Sequence, residues 1–125
     1  MTAKFINIPP LDIGDKPEQW ILTEDCIYQS DLVEYNVVVK AGFNTDLASI
    51  PRIFRLLFVK NGLHRSAAIV HDHLCRLGLL FSRDLADRIF LEAMRVSGVS
   101  RFKSRMMFFA VSLNTKRLKL IGKAT

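Results

Sequence analysis

Hydrophobic positions recur with a period of two in the first part of the chain and with a helical period after residue 50. In VEYNVVVK (33–40), Val33, Tyr35, Val37 and Val39 fall on one side and Glu34, Asn36 and Lys40 on the other. That alternation predicts a half-buried strand of an antiparallel meander. WILT (20–23) and CIYQ (26–29) are shorter strand-like runs separated by Glu24-Asp25, with a second turn at Ser30-Asp31. FINI near the start predicts one more strand, ended by Pro9-Pro10, because neither proline donates a ladder hydrogen bond.

Beyond Pro51 the pattern predicts helices. IPRIFRLLF (50–58) is a short helix or turn stopped by Asn61-Gly62, and HRSAAIVHDHLCRLG (64–78) is a helix with Gly78 as its stop. FSRDLADRIFLEAMRVSG (81–98) predicts a third, with Ser82 as N-cap, Asp84 in the first turn and Gly98 at the end. Ser100 caps a last helix, RFKSRMMFFAVSLNTKRLKL (101–120), whose stripe of Phe102, Met106, Phe109, Ala110 and Leu113 predicts its packed face. The fold class expected is α+β. A small N-terminal antiparallel β-meander is followed by three or four packed helices in one domain (1–125), β-rich over 1–45 and helical over 50–120.

Half of the 125 residues are hydrophobic and about a quarter charged, enough for one real core. The start, MTAKFINIPP, lacks a signal-peptide pattern, and the longest apolar run, MMFFAV (106–111), is far short of a membrane span. Cys26 and Cys75 stand in no metal-knuckle spacing and are expected to be free buried thiols. Charge changes the picture more. The first 100 residues hold 11 Lys/Arg against all 12 Asp/Glu, whereas residues 101–125 hold seven basic residues and no acid. The net +6 therefore describes a basic end on a nearly neutral body, suited to an anionic membrane face, an acidic protein patch or nucleic acid.

Several polar residues stand where apolar ones are expected. The bend in FNTDLASIPRIF (43–54) collects Asn44, Thr45, Asp46 and Ser49 between apolar elements. On the helix from His64, His71 shares a row with Ala67 and Leu74, and Asp72 shares one with Ala68 and Cys75. Both therefore face apolar company, unlike Arg65 and Arg76, and His73 points away from them. On the next helix Asp87 lies at the edge of the apolar stripe, four residues after Arg83. Buried carboxylates and imidazoles need partners, so His71 and Asp72 are expected against Asp87 and Asp46. Such a set is a normal ligand group for one divalent ion (Zn, Mn or Fe) and equally a normal structural network. No nucleophile elbow, phosphate-binding glycine loop or activated cysteine accompanies it.

The runs GFNTDLASIPRIF, AAIVHDHLCR and SRDLADRIFLEAMRVSGV together resemble an uncharacterised family of tailed phages and prophages, domain of unknown function 1353. The family pattern falls on Thr45, Asp46, Leu47, Ala48, Ser49 and Pro51, on His71-Asp72, and on Arg83 and Asp87, within roughly 33–109. His73 stands where the family usually has an aromatic residue. The resemblance implies a phage or prophage origin, in host cytoplasm or virion, and a common role for these polar groups.

Two functions are expected from these features. In the first, a hydrolase of phosphoesters or cell-wall amides, His71, Asp72, Asp87 and Asp46 hold the ion, Asp46 doubling as ligand or general base, and Arg83 grips an anionic substrate group. In the second, the cluster is structural and the protein is a non-enzymatic virion component, assembly factor or host-protein binder. Its working surface is then the last helix, opened by Arg101, Lys103 and Arg105 and closed by Lys116, Arg117 and Lys119. Such a helix suits a phage or host protein, self-association or an anionic membrane. Nucleic acid has weaker support, because the terminal basic cluster is not interleaved with aromatic residues.

Overall fold

The computed structural model describes residues 3–8, 11–13, 20–45, 65–77 and 81–122. Among these residues six short strands precede three helices, an α+β fold: β1 (Lys4–Asn7), β2 (Leu11–Ile13), β3 (Trp20–Leu22), β4 (Cys26–Gln29), β5 (Asn36–Val39), β6 (Asn44–Thr45), then α1 (Arg65–Arg76), α2 (Arg83–Val96) and α3 (Arg101–Leu120). The strands do not form one meander. They divide into two antiparallel three-stranded sheets, ordered β1-β4-β5 and β2-β3-β6.

The β4–β5 hairpin pairs Cys26 with Val39, Tyr28 with Val37 and Gln29 with Asn36. Its inward face is Cys26, Tyr28, Val37 and Val39, all buried, so cross-strand neighbours share one side. Because Gln29 pairs with Asn36, residues 30–35 form the connecting loop. Tyr35, expected on the buried face, is therefore outside the strand and exposed. Two residues of the polar bend belong to a strand as well: Asn44 and Thr45 pair with Ile21 and Trp20 as β6. The reversal lies earlier, at Ala41-Gly42, where Gly42 takes φ +87° and donates to the Leu22 carbonyl at 2.8 Å. Asp25 fixes that turn by accepting from the Ala41 N–H at 2.8 Å, a contact that also holds its carboxyl below the usual range. The helix or turn expected at 50–58 and the stop expected at Gly78 lie outside the described residues.

α1 packs on β4 and β5, α2 on α1 and β1, and α3 on α2. Wedged between sheet and helix, α1 buries seven of its twelve residues, and Ala67 and Ala68 allow close approach. α2 ends where expected. Gly98, at φ +92°, donates to Arg95 while Val99 donates to Met94, the paired bonds of a Schellman turn. Ser82 precedes α2 without a side-chain cap bond, whereas Ser100 caps α3 by accepting from the Lys103 N–H at 3.2 Å.

The packed face of α3 differs from the expected one. Phe102, Met106, Phe109 and Leu113 are exposed, at 73, 37, 64 and 48%. The buried row is Ser104, Met107, Val111 and Thr115, about half a turn round the helix. The helix is apolar on two sides, and its inner row is marked at both ends by small hydroxyl residues. In denaturant titrations, Met107→Ala is expected to cost about 2–5 kcal/mol. Phe102→Ala is expected to stay within about 0.5 kcal/mol of the wild type.

Candidate functional site

The structure brings together part of the expected cluster. His71 of α1 and Asp87 of α2 meet through Nε2 and Oδ1 at 2.7 Å, with His71 0% and Asp87 1% exposed. The His71 ring lies against Phe90, their centroids 4.7 Å apart. The other carboxylate oxygen of Asp87 accepts from the Thr115 hydroxyl of α3 at 2.6 Å, and Thr115 in turn accepts from Arg83 Nε at 3.2 Å. A continuous chain, His71–Asp87–Thr115–Arg83, therefore links α1, α2 and α3, buried except at its Arg83 end. With Nε2 facing a carboxylate oxygen, the hydrogen between them belongs on the imidazole, which donates to Asp87.

Asp72 is buried as expected but does not join Asp87. It pairs with Arg76 one turn later at 3.1 Å, and the Arg76 guanidinium lies over the Phe43 ring, 4.5 Å from its centroid. Arg83, expected to grip a substrate, donates from its Nε to Thr115. Asp84 is exposed and pairs with Lys119 of α3. Asp46 and Ser49 lie outside the described residues, as does His64. Among the described residues, no group of three or more His, Cys, Asp or Glu side chains is placed to hold a metal ion. Both oxygens of Asp87 and the Nε2 of His71 have protein partners in this arrangement.

His73, expected to be exposed, is half-buried with its ring edge on Phe43, centroids 5.8 Å apart. Burial pushes its pKa below the ordinary 6.5, with Asp72 opposing the shift and Arg76 adding to it. Cys75 Sγ stands 3.6 Å from His71 Nε2 and 3.9 Å from Nδ1. It therefore shares the nitrogen already bonded to Asp87 rather than taking the opposite one, unlike a nucleophile poised on its base. Burial pushes the Cys75 thiol up to about 12, and Asp87 and Asp72 outside it add to the rise against Arg83. Cys26, also free, rises to about 11 by burial.

Two features escaped the sequence reading. Thr115 was hidden among its polar sequence neighbours Asn114, Lys116 and Arg117; its signal was its place eight residues after Met107 and four after Val111. The other is Glu92 of α2, one carboxylate oxygen of which accepts from the Tyr28 and Ser30 hydroxyls at 2.7 Å each. Its second oxygen accepts from the Asp31 N–H at 3.3 Å, joining sheet to helix.

Thr115→Val removes the donor to Asp87 and the acceptor for Arg83, and is expected to cost about 1–3 kcal/mol in denaturant titration. The thiols give a pH test. Each binds its proton more tightly in the folded state than at the ordinary 9.0. Their contribution is thus complete below pH 9.0 and is lost as pH rises toward 11 and 12. The unfolding midpoint is expected to fall over that range. Cys26→Ala with Cys75→Ala should make the fall shallower without abolishing it, since Tyr28 is shifted in the same direction by burial and Glu92.

The chain matches the family model described as "Protein of unknown function (DUF1353)" over residues 20–111. No curated protein and no solved structure matches it. His71, Asp72, Arg83 and Asp87 fall inside the matched segment, while Thr115 and the last basic residues follow it. Since the match covers well over half of its length, the chain belongs to the DUF1353 family.

Proposed function

We propose that this protein is a non-catalytic docking module whose working surface is the outward face of α3 and whose buried polar chain is a structural lock. The observation that carries the reading is the two-sidedness of α3. Ser104, Met107, Val111 and Thr115 face inward, while Phe102, Met106, Phe109 and Leu113 stand in water on the opposite side. An apolar row in solvent has no role in holding this fold, and contiguous exposed apolar surface rimmed by charge marks interaction sites. The lock supplies the complementary half. With Thr115 bonded to Asp87, the rotation of α3 about its own axis is fixed, and so is the direction in which the stripe points.

The resemblance to phage and prophage proteins suggests the setting, that of a minor virion component, assembly factor or host-binding protein. The competing function, metal-dependent hydrolysis by His71, Asp72, Asp87 and Asp46, requires Asp87 to exchange its bond to His71 for the ion. It also requires Asp72 to turn away from Arg76.

Elemental mass spectrometry separates the two readings, applied to wild type and His71→Ala purified without a histidine tag. A docking module is expected to contain no stoichiometric Zn, Mn or Fe. His71→Ala should then act on stability alone, lowering it by about 1–3 kcal/mol because buried Asp87 loses one of its two donors. One equivalent of metal in the wild type, lost in the variant, would replace the docking reading with the hydrolase.

A further inference from the structure

Resting on that reading of α3, we propose that its outward face seats the protein on an anionic phospholipid bilayer, the helix lying flat in the interface. Phe102, Met106, Phe109 and Leu113 recur at four, seven and eleven residues from the first, and exposed Leu120 continues the line. At 1.5 Å per residue, the first four form a straight ridge about 16 Å long. α3 packs on α2 through its buried row, which leaves this ridge facing away from α2.

Charge decides among the occupants. By helical position, Arg105 and Lys116 flank the ridge on one side and Lys103 and Arg117 on the other, and the helix contains no acidic residue. A second copy docked ridge to ridge would bring two all-basic flanks together, which disfavours a homodimer through this face. A protein partner is disfavoured by size. A strip about 16 Å by 10 Å is a small fraction of the roughly 800 Å² per side that stable protein interfaces bury. A bilayer needs neither a large patch nor matched hydrogen bonds. Phenylalanine, methionine and leucine enter the headgroup–acyl boundary while Lys and Arg reach sideways to phosphates. Because α3 is already folded and locked through Thr115, binding carries no cost of ordering a helix, unlike a disordered amphipathic segment.

The test is co-sedimentation of the full chain with vesicles of phosphatidylcholine, with and without phosphatidylglycerol as one lipid in three. An acidic amphipathic helical peptide serves as a parallel probe. Three proteins are compared: wild type, Phe102→Ser/Phe109→Ser, and Lys103→Glu/Arg105→Glu. All substituted residues are exposed, and unchanged thermal unfolding verifies that the variants fold. Wild type is expected to bind phosphatidylglycerol vesicles and not neutral ones, and either double substitution to weaken binding about tenfold or more. Raising the salt from about 0.1 M to 1 M, which shortens the Debye length from about 10 to 3 Å, should weaken it as well. Absence of vesicle binding overturns the proposal, as does binding that the phenylalanine substitutions leave unchanged, which would be adhesion of a basic protein without a seat. If the peptide alone binds in a manner dependent on Phe102 and Phe109, the lipid proposal falls and the docking reading stands. If neither probe depends on those residues, both fall.

Discussion

A carboxylate deep in a protein needs hydrogen bonds from its neighbours, and the three-helix half of this molecule is arranged around that requirement at Asp87. Its two oxygens take one donor each from α1 and α3, His71 and Thr115, and Arg83 stands behind Thr115. In net stability an apolar seam of equal volume does as well as such a chain, and often better. What hydrogen bonds add is direction. Sliding or turning α3 by one residue would rotate it by about 100° and carry Thr115 away from Asp87. Packing alone is less discriminating here, because α3 has apolar side chains on both sides.

The same geometry explains why two acidic residues three apart on α2 have different fates. Asp87 lies where the three helices converge and is consumed by the lock; Asp84, three residues earlier, is exposed and meets Lys119. The pair at Asp84 is a surface contact of small energetic weight. It nonetheless draws one cation of the basic end toward α2, while the flanks of the outward ridge keep theirs. Asp72 is held by Arg76 against Phe43, so each buried carboxylate on the helices has a cation or a donor beside it.

Much of this was legible from the order of residues. The helix boundaries followed from Ser100, Gly98 and the 3.6 period, and the meeting of His71 with Asp87 followed from polar groups on apolar faces. The orientation of α3 was not legible, for a specific reason. Hydrophobic patterning assumes that the apolar side is the inner one, and here the inner row begins with Ser104 and ends with Thr115 while larger apolar residues line the outside. The second sheet was hidden by brevity, since runs of two or three residues such as Asn44–Thr45 carry no period. Glu92 was hidden because an acid on a helix surface reads as a solvated charge until the sheet it touches is known. Asp46 and the rest of the bend toward Pro51 lie outside the described residues, so the expected partnership of Asp46 with His71 stays a sequence expectation.

Glu92 has a consequence for how the chain acquires its structure. Its partners Tyr28 and Ser30 lie 64 and 62 residues earlier. Tyr28 is fully buried, and until α2 arrives its hydroxyl lacks this acceptor. The interior of the β1-β4-β5 sheet is therefore completed by a helix residue far along the chain. During synthesis, the N-terminal third is made well before the residue that completes its interior. Contacts between the sheet and α2 span a long sequence separation, which makes for a slower search than the local helices alone would need. A fragment that ends before the helices would expose just those alternating valines that pair most readily with a neighbouring chain.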